Sequence, residues 1–217
     1  MSAQQVLASI LETGIVAVIR ADDGSRLVDV AEALRAGGVT AMEITFTVPG
    51  AARILEQVQA KLGDRITLGA GTVLDPATAR IAMLSGAKFI VSPHTDREVI
   101  ELCRQYSVPV MPGALTPTEV VTAWRAGADI VKVFPSDLTG PSYLKALHGP
   151  LPQIRLMPTG GVGLSNASDY IRAGAVALGV GGSLVSASRI ATSDFDAIQA
   201  EAKQLIDVVR EARRSLA

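Results

Sequence analysis

The chain is poor in several things, and each shortage narrows what it does. It has one cysteine, Cys103, so an intramolecular disulfide is excluded and a reducing compartment fits. The plain reading of that residue is a small apolar side chain on a helix. It lacks an excess of either charge: 20 basic and 21 acidic residues leave a formal net charge of -1. No electrostatic footprint for nucleic acid or an anionic membrane results. It has only two histidines, His94 and His148, a poor supply for a cluster of imidazoles and carboxylates, so no metal is expected. It lacks a long apolar run. The longest uncharged stretch, Ala173 to Ser188, is interrupted by glycines at 174, 179, 181 and 182 and by serines, which makes a poor membrane helix. Met1 to Gln5 show neither a basic n-region nor an apolar core, so no signal peptide is expected. What remains is a soluble, cytoplasmic protein of 217 residues, 48% hydrophobic and 19% charged. That composition suits one domain over 1–217 rather than two small ones.

Four segments share one grammar: Arg35-Ala36-Gly37-Gly38-Val39, Leu84-Ser85-Gly86-Ala87-Lys88, Arg125-Ala126-Gly127-Ala128-Asp129 and Arg172-Ala173-Gly174-Ala175-Val176. A helical pattern precedes each and an apolar strand-like run follows, with glycine where a left-handed residue ends a helix. The recurrence implies an αβ repeat. Strands are predicted near 15–19, 39–45, 66–70, 88–91, 107–111, 129–134, 154–158 and 176–180. Helices are predicted near 24–36, 50–62, 75–85, 95–105, 116–126, 141–147, 165–173 and 194–213. Asp75-Pro76 reads as a cap before a first-turn proline, and Thr95…Glu98 and Thr116…Glu119 match the capping box. Ser2…Gln5 opens an extra N-terminal helix with Val6, Leu7, Ile10 and Leu11 on one side. Eight alternating units predict a (β/α)8 TIM barrel with that extra helix. The alternative is an open doubly wound sheet, which would usually carry a glycine-rich loop after its first strand. Here that strand runs into Arg20-Ala21-Asp22-Asp23.

In such a barrel the chemistry collects where strands end. Lys132 stands inside the apolar run Asp129-Ile130-Val131-Lys132-Val133-Phe134-Pro135. A free lysine has a pKa near ~10.4, so only about four in ten thousand are neutral at pH 7. A drop of roughly three units through burial makes close to half neutral and nucleophilic. The other reading is a strand-end lysine whose head reaches water or a carboxylate. Glu43, inside Val39-Thr40-Ala41-Met42-Glu43-Ile44, repeats the oddity with the opposite charge. Together they are either a buried structural ion pair or a nucleophile with its proton carrier. Thr159-Gly160-Gly161 and Gly181-Gly182-Ser183 follow the last two strands, where backbone N–H groups often hold a phosphate; tight turns alone are the other reading. Arg20, at the exit of the first strand, is either a surface arginine or a clamp for a carboxylate. His148 reads as a helix-end residue and Trp124 as packing.

These segments, with Ile15-Val16-Ala17-Val18-Ile19-Arg20, Glu43-Ile44-Thr45-Phe46-Thr47, Gly69-Ala70-Gly71-Thr72-Val73, Val91-Ser92-Pro93-His94 and Met111-Pro112-Gly113, stand in one order and spacing from about residue 12 to 210. In them the chain resembles the 2-keto-3-deoxy-6-phosphogluconate (KDPG) aldolases, with the related phosphogalactonate and 4-hydroxy-2-oxoglutarate aldolases. The resemblance implies a class I aldolase, a homotrimer, and a phosphosugar acid as substrate, with no cofactor. Lys132 matches the Schiff-base lysine and Glu43 the proton-shuttling glutamate. Thr72 and Pro93 match residues around the bound pyruvate unit, and Gly160, Gly161, Gly182 and Ser183 match phosphate loops. One departure stands out: some members carry an arginine four residues after the glutamate, where this chain has Thr47. The expectation is that Arg20, with Thr47 or Thr72, binds the carboxylate, and that Phe134 packs near the reacting carbons. Two other classes remain: a non-catalytic phosphosugar-binding or assembly module, with Lys132 as the salt-bridge partner of Glu43, and another phosphosugar barrel enzyme such as an epimerase.

Overall fold

The computed structural model describes residues 1–216. Strands and helices alternate along them: α1 (Ala3–Thr13), β1 (Ile15–Ile19), α2 (Leu27–Ala36), β2 (Ala41–Thr45), α3 (Ala51–Leu62), β3 (Thr67–Gly71), α4 (Pro76–Leu84), β4 (Ile90–Val91), α5 (Arg97–Gln105), β5 (Val110–Met111), β6 (Gly113–Ala114), α6 (Pro117–Ala126), β7 (Val131–Val133), α7 (Gly140–His148), β8 (Leu156–Pro158), α8 (Ala167–Arg172), β9 (Leu178–Val180), α9 (Ala187–Thr192) and α10 (Phe195–Arg214).

The expected punctuation is present. Gly38, Gly86, Gly127 and Gly174 all have φ between 94° and 108°. The N–H after each returns to the carbonyl five residues earlier, as in Val39 to Leu34 and Ala128 to Ala123, which closes the helix end. A fifth unit does the same without glycine: Ser107 takes φ 54° and Val108 donates to Cys103. Ser2 and Gln5 cap α1 reciprocally, Asp75 caps α4 ahead of Pro76, and Thr116 with Glu119 caps α6. The Thr95…Glu98 box is not the cap of α5. Asp96, one residue closer, accepts from the Glu98 and Val99 N–H groups at 2.8 and 3.1 Å, while the Thr95 hydroxyl donates to the Gly113 carbonyl. A charged oxygen is the stronger acceptor for these donors.

All strand pairs are parallel. Six form one sheet in the order β5-β4-β3-β2-β1-β9, and three form another in the order β6-β7-β8. The fold is thus α/β, its larger sheet curving as a half-barrel. Only Pro112 separates β5 from β6. Proline has no N–H, so the ladder breaks there; the predicted fifth strand ends with β5, and pairing resumes in β6 beyond its expected end. Backbone bonds still cross the break: Asp129 N–H donates to Val110 O and Lys132 N–H to Pro112 O. At the other edge, parallel bridges join Leu156 to Ala175 and Thr159 to Gly179. The main apolar cluster fills the space between strands and helices. A second cluster, with Val16, Ala41, Phe89, Met111, Ile130 and Met157, lies on the opposite strand face and is covered by Val6 and Ile10 of α1. α1 thereby closes the N-terminal end of the strands, and the C-terminal end is left for chemistry. Trp124 is not enclosed as expected; it is 42% exposed on α6.

Candidate active site

The side chains that face inward on each strand recur every second residue. On β7, Ile130 faces the apolar cluster, Lys132 follows, and Phe134 comes next at the strand exit. On β2 the same step leads from Ala41 to Glu43 and Thr45. Both ionisable groups are enclosed, Lys132 at 5% exposure and Glu43 at 1%. No ion pair within 4.0 Å joins them among the described residues. Among the described residues neither Glu43 carboxyl oxygen has a hydrogen-bond partner.

Burial therefore governs both titrations. It pushes the Glu43 carboxyl above its usual range, against the opposing pull of Lys132 and Arg20. Burial likewise pulls the Lys132 amine below its usual range, with Glu43 opposing and Arg20 assisting. The amine lies 4.9 Å from the centroid of the Phe134 ring, which covers it on one side.

Above Lys132 opens a pocket of about 480 Å³. Its wall brings together eleven of the thirteen residues singled out from the sequence: Arg20, Thr72, Pro93, Lys132, Phe134, Thr159, Gly160, Gly161, Gly181, Gly182 and Ser183. Glu43 is sealed off from solvent and Thr47 is outside. β2 ends at Thr45, and Thr47 stands exposed in the turn that follows, with its hydroxyl reaching back to that of buried Thr45 at 2.8 Å. Sequence reasoning missed Val18, Ala21, Asp22, Val162, Val185 and Ala187 on the wall. Period two from Arg20 points to Val18, but nothing in the sequence singles out the others.

Two features of the wall carry energetic cost. Thr72 has φ 55°, a conformation that a β-branched residue adopts only at a cost of order 1–3 kcal/mol. The Thr159 hydroxyl is buried without a partner among the described residues. Buried polar atoms are nearly always satisfied; among the described residues the inward face has two such orphaned groups, at Glu43 and Thr159, and Arg35 Nε and Gln59 Oε1 are others away from the pocket. Gly160 and Gly161, at φ 96° and 66°, turn the backbone across the mouth, and the Ser183 hydroxyl ties its loop to Val162 O at 2.7 Å. Cys103 lies elsewhere, buried on α5 with its thiol pushed up to about 12, mainly by desolvation. Among the described residues no three His, Cys, Asp or Glu side chains are placed to share a metal ion, and no helix is long and apolar enough to cross a membrane.

Comparison with known proteins agrees with the motifs. The sequence profile of the KDPG and KHG aldolases matches residues 6–201. The chain is 32% identical over 208 residues to 2-dehydro-3-deoxy-phosphogluconate aldolase of Haemophilus influenzae, covering 95% of this chain and 98% of that one. It is 37% identical over 153 residues to 2-dehydro-3-deoxy-6-phosphogalactonate aldolase of Escherichia coli, covering 70% and 75%. The crystal structure of KDPG aldolase from Legionella pneumophila, with pyruvate captured at low pH as a covalent carbinolamine intermediate, matches with a TM-score of 0.86. Identity there is 28%, over 93% of this chain and 98% of that one. An enclosed amine, a sealed carboxyl and a glycine-walled pocket at the strand ends thus accompany family-wide likeness: the chain belongs to the KDPG and KHG aldolase family of lyases.

Proposed function

We propose that the protein cleaves 2-keto-3-deoxy-6-phosphogluconate to pyruvate and glyceraldehyde 3-phosphate through a Schiff base on Lys132. The observation that carries this reading is the desolvated amine on the pocket wall, with an unpartnered carboxyl held near it. Neutral Lys132 attacks the C2 carbonyl and forms a carbinolamine. Glu43, directly or through a water, gives up the proton that lets hydroxide leave as water, and the iminium forms. Glu43, now a carboxylate, takes the proton of the C4 hydroxyl. The C3–C4 bonding pair moves into the iminium, the aldehyde leaves, and an enamine remains. Protonation at C3 and hydrolysis release pyruvate and the free amine. The lysine is the electron sink, so the reading calls for no metal or organic cofactor.

Arg20 and Thr72, both on the pocket wall, are the proposed carboxylate partners; Thr47, which does not line the pocket, fits that role less well. Thr159, Gly160, Gly161, Gly181, Gly182 and Ser183 form the proposed phosphate end, and Pro93 and Phe134 flank the pyruvate unit. Closure of the two sheets into one eight-stranded barrel over 1–217 is part of the same reading, supported by the bonds across Pro112 and the bridges from β8 towards β9. So are a cytoplasmic homotrimer and the absence of nucleic-acid or membrane partners. The phosphogalactonate epimer is a second reading, favoured by the 37% identity to the enzyme from Escherichia coli; 4-hydroxy-2-oxoglutarate is a third.

Incubation with pyruvate, borohydride reduction and digestion tests the central step. A pyruvyl adduct on Lys132 is expected. No adduct, or one elsewhere, rejects the reading, and phosphate-dependent stabilisation without an adduct would mark a binding module instead. Pyruvate release from the two epimers and from 4-hydroxy-2-oxoglutarate then ranks the substrates.

A further inference from the structure

We propose that Gly71 is a positioning residue: the space left by its missing side chain is the seat of the Glu43 carboxyl. The inference rests on the reading of Glu43 as proton carrier. β3 lies beside β2, with Thr45 opposite Gly71. A Cβ added to Gly71 would overlap Glu43 Oε1, lie 2.7 Å from Cδ and 3.2 Å from Cγ. The backbone is not the reason for glycine here, because Gly71 is not among the residues with positive φ. An alanine is therefore allowed by conformation and excluded by volume.

What would give way is also settled by the geometry. The atoms in conflict are the far end of a side chain, not strand backbone. That side chain has no hydrogen bond holding it, so its place is set by shape, and Gly71 supplies one wall of that shape. Gly69, two residues earlier on the same strand, uses the same device for a different purpose: a Cβ there would overlap the Phe89 ring in the apolar layer. One glycine makes room for packing, the other for an acid.

The experiment is Gly71→Ala, with Glu43→Asp made in both backgrounds. A displacement of the acid by about an ångström is expected to lower kcat roughly 100-fold. KM should change little, and borohydride trapping of pyruvate on Lys132 should persist. Aspartate is one methylene shorter and withdraws from the added methyl, so its cost in the Gly71→Ala background should be well below its cost in the native one. Normal turnover of Gly71→Ala, or losses that simply multiply, overturns the proposal. Should Gly71→Ala fail to fold, the double variant is expected to fold again, and its failure to do so counts against the proposal. Glu43→Gln separates the two levels of argument. If that variant is nearly inactive while Gly71→Ala is normal, only the role of Gly71 falls; if it turns over normally, the reading of Glu43 falls as well.

Discussion

The N-terminal and C-terminal halves of the inward strand face share one backbone and differ by a step of two residues. That step leads from Ala41 to Glu43, from Ile130 to Lys132, from Met157 to Thr159 and from Ala177 to Gly179. On the near side of it every named group is a buried apolar residue, packed with Phe89 beneath α1. On the far side are a carboxyl and a hydroxyl without partners, a desolvated amine, and soon afterwards a threonine at φ 55°. The first half contributes stability by removing hydrocarbon from water. The second gives stability up, since each of its groups would be better solvated in the unfolded chain. On the proposed reading the site presents a reactive amine to a guest, so it cannot also be its own best solvent, and the apolar half offsets the cost.

Substitutions on either side of the step should therefore have opposite signatures. The largest effect is expected from Lys132→Met. Turnover should fall on the order of 10⁴-fold or more, as when a nucleophile is removed. Melting should occur at an equal or higher temperature, because a desolvated amine has been exchanged for a similar volume of hydrocarbon. A loss of both activity and stability would mean that Lys132 belongs to the structural half. Next is Phe89→Ala, which should cost about 3–5 kcal/mol of stability, measurable by urea unfolding, while turnover at low temperature is kept. If it abolished turnover in the still-folded protein, the two halves would not be separable.

A third test uses pH. Glu43 holds its proton more tightly folded than unfolded. Above its ordinary value of ~4.3 the unfolded chain has released a proton that the folded chain keeps, so stability falls as pH rises, by up to ~1.4 kcal/mol per unit. Lys132 is the reverse. Between its depressed folded value and ~10.4 the unfolded chain holds the extra proton, so stability rises with pH. The stability gained by Glu43→Gln over the native protein should thus grow as pH climbs from about 4, and that gained by Lys132→Met should shrink towards pH ~10.4. Urea midpoints across the range report both slopes, and flat differences would remove desolvation as the cause.

The strands and helices were legible because local chemistry marks them: left-handed glycines, capping oxygens and apolar periods of two and 3.6. Lys132 and Glu43 were legible because charge inside an apolar strand is anomalous in any fold. The break at Pro112 was less visible, since a proline beside a strand end reads as its limit rather than as a gap with pairing on both sides. α9, over Ala187–Thr192, was missed because it follows a glycine- and serine-rich stretch that reads as loop, and Ser107 because nothing in a serine announces φ 54°. The contact between Gly71 and Glu43 joins residues 28 positions apart, so only the register of β2 on β3 could reveal it.

The smallest effect expected concerns the pocket's entrance, where the polar half meets solvent. Arg20 is exposed, unlike Lys132, yet lines the same wall. A guanidinium offers a carboxylate two parallel hydrogen bonds, and an ammonium replaces them with a single point charge. Arg20→Lys keeps the charge and should lose about one such bond, so KM should rise roughly tenfold with kcat held within a few-fold, about 1.4 kcal/mol. Thr47→Val serves as its counterpart outside the pocket and should leave KM unchanged. A rise in KM for Thr47→Val with none for Arg20→Lys would move carboxylate recognition from the end of β1 to the turn after β2.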